Sequence, residues 1–244
     1  MGCVPSSDGS ALLELGGTRV LATVSGPRRA ARRSEAEEDC CIINVFFTQA
    51  PFASSERRVR RAGDRKFVEA CGALKQSYEA AVQTRLYPRS EICVSVHVLA
   101  ADGGALVAAL NAGTLALIDA GVAMRDFVTA ASALHVAGKT LLDPSAAETQ
   151  GGAPELLVAT LPSTGALVMT TMDSRLPADV FQPLLVAAVR AASISHECMR
   201  GFVEERARER LRALEGSGGA LGAGVGSLIL KGEGAGPLTV AARL

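Results

Sequence analysis

Tryptophan is absent from this chain of 244 residues, and aromatic side chains make up only 4% of it. That argues against carbohydrate clefts and base-stacking platforms, where aromatic faces supply the contact. A nucleic acid, if bound, must be held mainly by its phosphates. Net charge is also absent, because 25 Lys and Arg balance 25 Asp and Glu. Overall charge therefore gives no argument for a nucleic-acid or membrane partner, and any such argument must be local. The six cysteines, Cys3, Cys40, Cys41, Cys71, Cys93 and Cys198, lack CxxC spacing and neighbouring His clusters. Neither zinc nor a disulfide framework is indicated, and the thiols fit a reducing compartment as small apolar fillers. No contiguous apolar run reaches the roughly 18 residues of a bilayer span, and no secretory signal is present, so no membrane partner is expected. Serine-hydrolase elbow, P-loop and dinucleotide fingerprint are missing too.

What is present is apolar material, 48% of the chain, enough for one large domain or two small ones. Leu12–Leu15 and Arg19–Val24 are β-prone runs around Gly16-Gly17, which reads as a hairpin closed by Gly26-Pro27. Cys41–Phe47 is apolar on both faces apart from Asn44, the pattern of a buried strand. Helical spacing over 67–86 places Phe67, Cys71, Leu74, Tyr78 and Val82 on one face, with Tyr87-Pro88 as the stop. Ile92, Val94, Val96 and Val98 alternate as a strand, in which His97 is read as structural. Ala101-Asp102-Gly103-Gly104 then turns into an Ala-rich helix from about Leu106 to Ala120. Strands are predicted over 128–136, 139–142, 156–161 and 166–172. A long helix is predicted from about Pro177 to Leu214, interruptible at Gly201, with Leu184, Ala188, Ala191, Ser195, Cys198 and Phe202 on one face. The order of strands and helices predicts an α+β domain.

Two local features carry chemistry. Between Glu56 and Lys66, six of eleven residues are basic: Arg57, Arg58, Arg60, Arg61, Arg65 and Lys66. They read either as a solvated loop and helix start or as a phosphate-binding patch. The Gly103-Gly104 turn at a helix start exposes backbone N–H groups that can hold an anion. The opening Met1-Gly2-Cys3 fits the minimal myristoylation pattern, with Cys3 placed for palmitoylation.

A series of segments, in consistent order over residues 8–212, resembles the RNase PH family, specifically exosome ring subunits of the branch that includes the catalytic archaeal subunit. The segments are Asp8-Gly9-Ser10-Ala11, Leu15-Gly16-Gly17-Thr18-Arg19-Val20-Leu21-Ala22, Gly26-Pro27, Gly63-Asp64-Arg65-Lys66, Leu86-Tyr87-Pro88-Arg89, Leu99-Ala100-Ala101-Asp102-Gly103-Gly104, and Leu117-Ile118-Asp119-Ala120-Gly121-Val122-Ala123-Met124-Arg125-Asp126. The resemblance implies an RNase PH-like fold, of the ribosomal protein S5 domain 2-like type, with mixed sheets packed on helices over 8–215 and a flexible Gly-rich tail over 216–244. The family usually carries an Arg-x-Asp-Gly-Arg segment ahead of the point where this sequence starts, so Met1 is expected to be internal or the element shed, against the lipidation reading.

The family's chemistry is phosphorolysis of an RNA 3′ end, which needs cations and backbone donors for phosphate and carboxylates that position a metal or act as acid. The resemblance places a Gly-Thr-Arg or Gly-Ser-Arg phosphate cradle at positions that read Gly104-Ala105-Leu106 here, leaving only weak backbone donors at Gly103 and Gly104. A second family Arg matches Lys75, which keeps charge but not fork geometry. A carboxylate pair matches Asp143 and Thr149, with Glu148 one residue out of register. The resemblance therefore implies a degenerate site with no catalytic residue confidently retained, no metal and no cofactor. The expected function is a non-catalytic ring subunit supporting 3′-to-5′ RNA processing and degradation, rRNA processing included, in nucleus, nucleolus and cytoplasm. Its partners would be single-stranded RNA, other RNase PH-like subunits in a six-member hetero-oligomeric ring, and RNA-binding cap subunits. Arg57, Arg58, Arg60 and Arg61 would then face the RNA channel. The alternatives are an active phosphate-dependent exoribonuclease using Lys75, Asp143 and Glu148, and a structural homo-oligomer outside the exosome.

Overall fold

A computed structural model describes residues 1–30, 38–54, 64–136, 138–149 and 151–217. The chain divides into two compact units, Met1–Arg200 and Gly201–Leu244. The basic residues Arg57, Arg58, Arg60 and Arg61, and nearly all of the Gly-rich tail, lie outside the described residues.

The first unit is built in layers. One sheet has the order β1-β2-β4-β3, from β1 (Gly9–Leu15), β2 (Thr18–Arg29), β3 (Ile42–Gln49) and β4 (Ser90–Ala100). Its β1–β2–β4 pairs are antiparallel, whereas β3 runs parallel to β4. The hairpin forms where Gly16-Gly17 predicts it, but β2 does not end at Gly26-Pro27. It passes through a register shift between Ser25 and Arg28 and re-pairs Arg28 with Glu91, since a bulge lets Pro sit in a strand without breaking the ladder. The β3 expectation also needs correction. It is an edge strand, and Phe46 is 57% exposed, so only one of its apolar faces is in the core.

A helical layer follows. Helix α1 (Arg65–Ala81) starts at Asp64, whose carboxylate accepts from the N–H of Lys66, and ends at Val82, short of the Tyr87-Pro88 stop. A single 3-10 turn, Thr84–Leu86, fills the interval. Helix α2 (Ala105–Asp119) is apolar all round and buried from Val107 to Leu117, as expected of a helix enclosed on every side. Tyr78 of α1 reaches across and donates its hydroxyl to the carbonyls of Ala109 or Leu110, both at 3.2 Å. A Cβ on Gly113 would overlap that tyrosine ring, so glycine is what lets the two helices approach.

The second sheet has the order β6-β5-β7-β8, from β5 (Thr129–Val136), β6 (Lys139–Leu142), β7 (Glu155–Leu161) and β8 (Ala166–Met172), all antiparallel. Helix α3 (Ala146–Thr149), absent from the sequence expectation, lies between β6 and β7. One sheet face meets α2. There Asn111 acts as a substitute strand: its amide donates to Ala130 O at 3.1 Å and accepts from Ala130 N at 2.9 Å. The other face carries Ala131, Ala133, Leu156 and Val158, packed with Leu184, Ala188, Ala191 and Ala192 of α4 (Ala178–Ser217).

Helix α4 is not interrupted at Gly201. Its buried stripe shifts to Ala192 and Met199, and Cys198 is exposed, because 3.6 residues per turn walk the stripe around a long helix. By length and composition alone α4 is long and apolar enough to cross a membrane, although Arg190, Glu197 and Arg200 interrupt it and leave no contiguous apolar run of span length. In this fold its first half presents an apolar stripe to the sheet.

Candidate functional site

Three turns meet at the N-terminus of α2: Gly16-Gly17 between β1 and β2, Asp102–Gly104 between β4 and α2, and Asp143–Ser145 after β6. The meeting is sutured by one hydroxyl. Thr18 Oγ1 donates to Gly103 O at 2.6 Å and accepts from Asp102 N at 2.9 Å. Gly103 has φ +95°, and a Cβ there would overlap the Pro144 carbonyl; Gly104, at φ +55°, is the helix N-cap. Both glycines are therefore required by backbone approach and left-handed geometry. The first-turn N–H groups at Ala105, Leu106 and Val107 have no intrahelical acceptor, and the helix dipole adds about half a positive charge at that end.

Two clefts flank this helix start. The first, about 140 Å³, is lined by Leu15, Gly16, Gly17, the turn Asp102–Gly104, and Asp143–Ser145. The second, about 220 Å³, is lined by Gly104, Ala105, Leu106, Glu155, Leu157, Thr171 and Asp173. Among the described residues no Lys or Arg lines either one, while four carboxylates do: Asp102 and Asp143 in the first, Glu155 and Asp173 in the second. Burial pushes the Asp143 carboxyl up, with a backbone hydrogen bond from Ser132 working the other way. Glu155 is also pushed up, first by burial and then by the charge of Asp173.

The remaining residues singled out in the sequence fall elsewhere or take structural roles. Lys75 stands on α1, half exposed, 3.7 Å from Glu79, and lines neither cleft. Glu148 is at the third position of a capping box: its Oε2 accepts from Ser145 N at 2.8 Å and from Ser145 Oγ at 3.0 Å. Those bonds favour the charged form and hold its carboxyl below the usual carboxylate range. Thr149 Oγ1 donates to Ser145 O at 3.0 Å. A metal held between positions 143 and 149 does not fit this arrangement, since Thr149 offers a hydroxyl that is bonded to Ser145 O and Glu148 is committed to the helix cap. Arg65 is 90% exposed and paired with Glu69 at 2.6 Å; Lys66 is exposed beside it.

Glu155, Asp173, Thr171 and Ser132 are not marked by the sequence. They share no linear motif, and Glu155 and Asp173 face each other only through the β7–β8 register, which pairs Leu156 with Met172. A lone polar Ser132 in the apolar run Ala130–Leu134 is the one available signal.

Comparison with known proteins gives a consistent result. The description "3′ exoribonuclease family, domain 1" of RNase PH matches residues 1–123. The chain is 43% identical over 210 residues to the human exosome complex component RRP41, covering 86% of each chain. Among solved structures, rice Rrp46 superposes with a TM-score of 0.71 at 22% identity, covering 81% of this chain and 89% of that one. The exosome of Archaeoglobus fulgidus with RNA bound to the active site has a chain that superposes with a TM-score of 0.69 at 23% identity, covering 80% and 84%.

Proposed function

Because this chain belongs to the RNase PH family of 3′ exoribonucleases, we propose that it is a core-ring subunit of the exosome that binds single-stranded RNA and its ring neighbours without performing phosphorolysis itself. The observation that carries this reading is the surroundings of Gly104. An anion approaching the α2 N-terminus meets backbone donors and half a positive charge, but Asp102 and Asp143 stand on one side and Glu155 and Asp173 on the other. Leu106 supplies an apolar side chain where a guanidinium would be needed. Each missing charge-assisted hydrogen bond costs about 1.5–3 kcal/mol, roughly ten- to 150-fold in phosphate affinity, before the repulsion of the carboxylates is added.

The alternative, an active enzyme using Lys75, Asp143 and Glu148, finds little support in the same geometry. Lys75 lines neither cleft and Glu148 is engaged in capping. RNA contact is assigned to Arg57, Arg58, Arg60 and Arg61, with Arg65 and Lys66 at the start of α1. Such contact is to phosphates and follows a single strand through a positively lined path. The similarity to the human exosome complex component RRP41 supports a place in the exosome; on this reading the chain assembles with other RNase PH-like subunits in a hetero-oligomeric ring, beneath RNA-binding cap subunits. Cleavage would come from separate nucleases, in RNA processing and degradation that includes rRNA, in nucleus, nucleolus and cytoplasm.

The test is phosphate-dependent release of nucleoside diphosphates from labelled RNA by the purified chain, alone and with its ring partner. No release in either case is the expected result. Phosphate-dependent release that the Asp143→Asn variant abolishes would overturn the non-catalytic reading. Co-purification with no other ring subunit would instead favour a homo-oligomer outside the exosome.

A further inference from the structure

The first sheet buries one face only. Val20, Val24, Val94 and Val96 point inward and are fully buried, so the residues that alternate with them along β2 and β4 point outward. Register lays two rows across that outer face. Phe46 stands opposite Ser95, and Ser95 opposite Thr23; two residues along, Thr48 stands opposite His97, and His97 opposite Leu21. Phe46 is 57% exposed, and His97 is exposed too. Their rings belong to diagonal neighbours on adjacent strands, about 4.8 Å apart across the sheet and about 6.6 Å along it.

Charge is arranged around these rings, not beneath them. Glu14 and Glu91 are the carboxylates of the four strands, and each is paired, Glu14 with Arg19 at 3.0 Å and Glu91 with Arg28 at 2.8 Å. The Glu91 side chain is only 9% exposed while that of Arg28 keeps 56%, so solvent meets the cation of that pair. Near the other end of β3 the start of α1 lies alongside: Phe67 packs on Phe47 with ring centroids 5.9 Å apart, and Lys66 beside it is exposed. In sequence β3 also leads into the segment that carries Arg57, Arg58, Arg60 and Arg61. A face that is neutral and flat at its centre and cationic at its margins complements a strand of flat neutral bases joined by anionic phosphates.

We propose that the outer face of the first sheet is a base-stacking platform for single-stranded RNA, with bases laid on Phe46 and His97 and their edges met by the hydroxyls of Ser95 and Thr48. The basic segment then holds phosphates and this face holds bases, so the platform rests on the RNA-binding reading above and deepens it. Four-stranded sheets can stack two or three bases on rings carried by neighbouring strands. Every base has a π-face, so such a surface tolerates any sequence. The low aromatic content limits the platform to one phenyl ring and one imidazole. A protein partner fits less well, because interface cores gather apolar side chains, whereas Phe46 is flanked by Ser95, Asn44 and Thr48.

The chain has no tryptophan, so Phe46→Trp gives the full chain a single fluorescent reporter on this face. Its emission should be quenched by a single-stranded oligoadenylate or oligouridylate, and not by an abasic oligonucleotide of the same length and charge. Phe46→Ala should weaken binding of the same RNA roughly five- to 150-fold, the range for losing one stacked base. The logarithmic salt slope should stay unchanged, since no phosphate contact is lost. His97→Ala should weaken binding in the same way. Phe46 is exposed, so the Phe46→Ala variant should melt close to the parent temperature, which separates lost stacking from misfolding. RNA binding whose salt slope falls when Arg57, Arg58, Arg60 and Arg61 are replaced by Ser, but which neither quenches the reporter nor weakens in Phe46→Ala, overturns the platform and leaves the RNA-binding reading in place. No RNA binding by the full chain overturns both. A Phe46→Ala variant that keeps the parent RNA affinity but no longer co-purifies with a ring neighbour makes the face a protein interface, and that too overturns the platform.

Discussion

Replacing Asn111 by Leu tests how α2, and with it the whole Gly104 turn, is held in register with the second sheet. The side chains are nearly isosteric, so the change removes polarity without opening a cavity. In the parent protein the Asn111 amide satisfies both the N–H and the C=O of Ala130 at 2.9 and 3.1 Å, in a fully buried setting. The ladder cannot replace those bonds. On that side of β5 the partner β6 pairs only from Ala133 to Val136, and Ala130 lies beyond its reach. Asn111→Leu therefore strands one donor and one acceptor, at about 1–3 kcal/mol each, or roughly 2–6 kcal/mol in total. Against a typical domain stability of about 5–15 kcal/mol that is a large fraction, readable as a lower urea midpoint at unchanged slope. Thr114→Val is the graded companion: its hydroxyl can donate to Leu110 O at 3.0 Å or Val128 O at 2.9 Å, one bond at a time. It should cost about 1 kcal/mol. If Asn111→Leu shifts stability by less than about 0.5 kcal/mol, the substitute-strand role is wrong, since surface-scale effects have that size.

Two glycines in helices should respond oppositely to the same change. Gly113→Ala forces a methyl into the Tyr78 ring and should destabilise by about 1–3 kcal/mol, whereas Gly72→Ala meets nothing within 4 Å and should stabilise by roughly 0.5–1 kcal/mol, both read by thermal melting. Glu155 and Asp143 carry carboxyls raised above the unfolded value, so the folded chain binds more protons than the unfolded one just above the ordinary carboxylate range. Stability should therefore fall as pH rises through that window, and a stability–pH profile of Glu155→Gln with Asp143→Asn should lose most of that slope. Substituting Ser for Arg57, Arg58, Arg60 and Arg61 should weaken RNA binding and make it less sensitive to salt. The logarithmic salt slope should shrink by about 0.7 for every phosphate of a single strand that is no longer neutralised, and an unchanged slope removes the RNA assignment.

Periodicity is enough to place most elements. The alternation at Ile92, Val94, Val96 and Val98 and the helical spacing of Leu74 and Tyr78 are local consequences of burial on one face, and they survive into β4 and α1 with shifts at the ends. The order of short motifs from Asp8 to Asp126 points to the family, and the glycine turn at Gly103-Gly104 marks the helix start where the clefts form. Ala105 and Leu106 stand out against the resemblance because they occupy consecutive positions beside that turn. The sequence overstates the burial of β3 for a physical reason: an apolar strand reads the same at a sheet's edge as at its centre, and only pairing order separates them.

The charge of the site, by contrast, is decided by tertiary structure. Glu148, one residue from the expected carboxylate, is a helix cap because Ser145 stands three residues before it in a helix that composition does not announce. Glu155 and Asp173 are neighbours of Gly104 only because antiparallel pairing sets β7 against β8 and the α2–β5 contact lays that sheet beside the helix start. The sequence by itself determined most of the strands and helices, the family they compose, and the apolar side chain at Leu106, where the resemblance expects an arginine. It could not determine that four carboxylates would surround that place, because their meeting depends on register and on packing between residues far apart in the chain, and no local pattern encodes either.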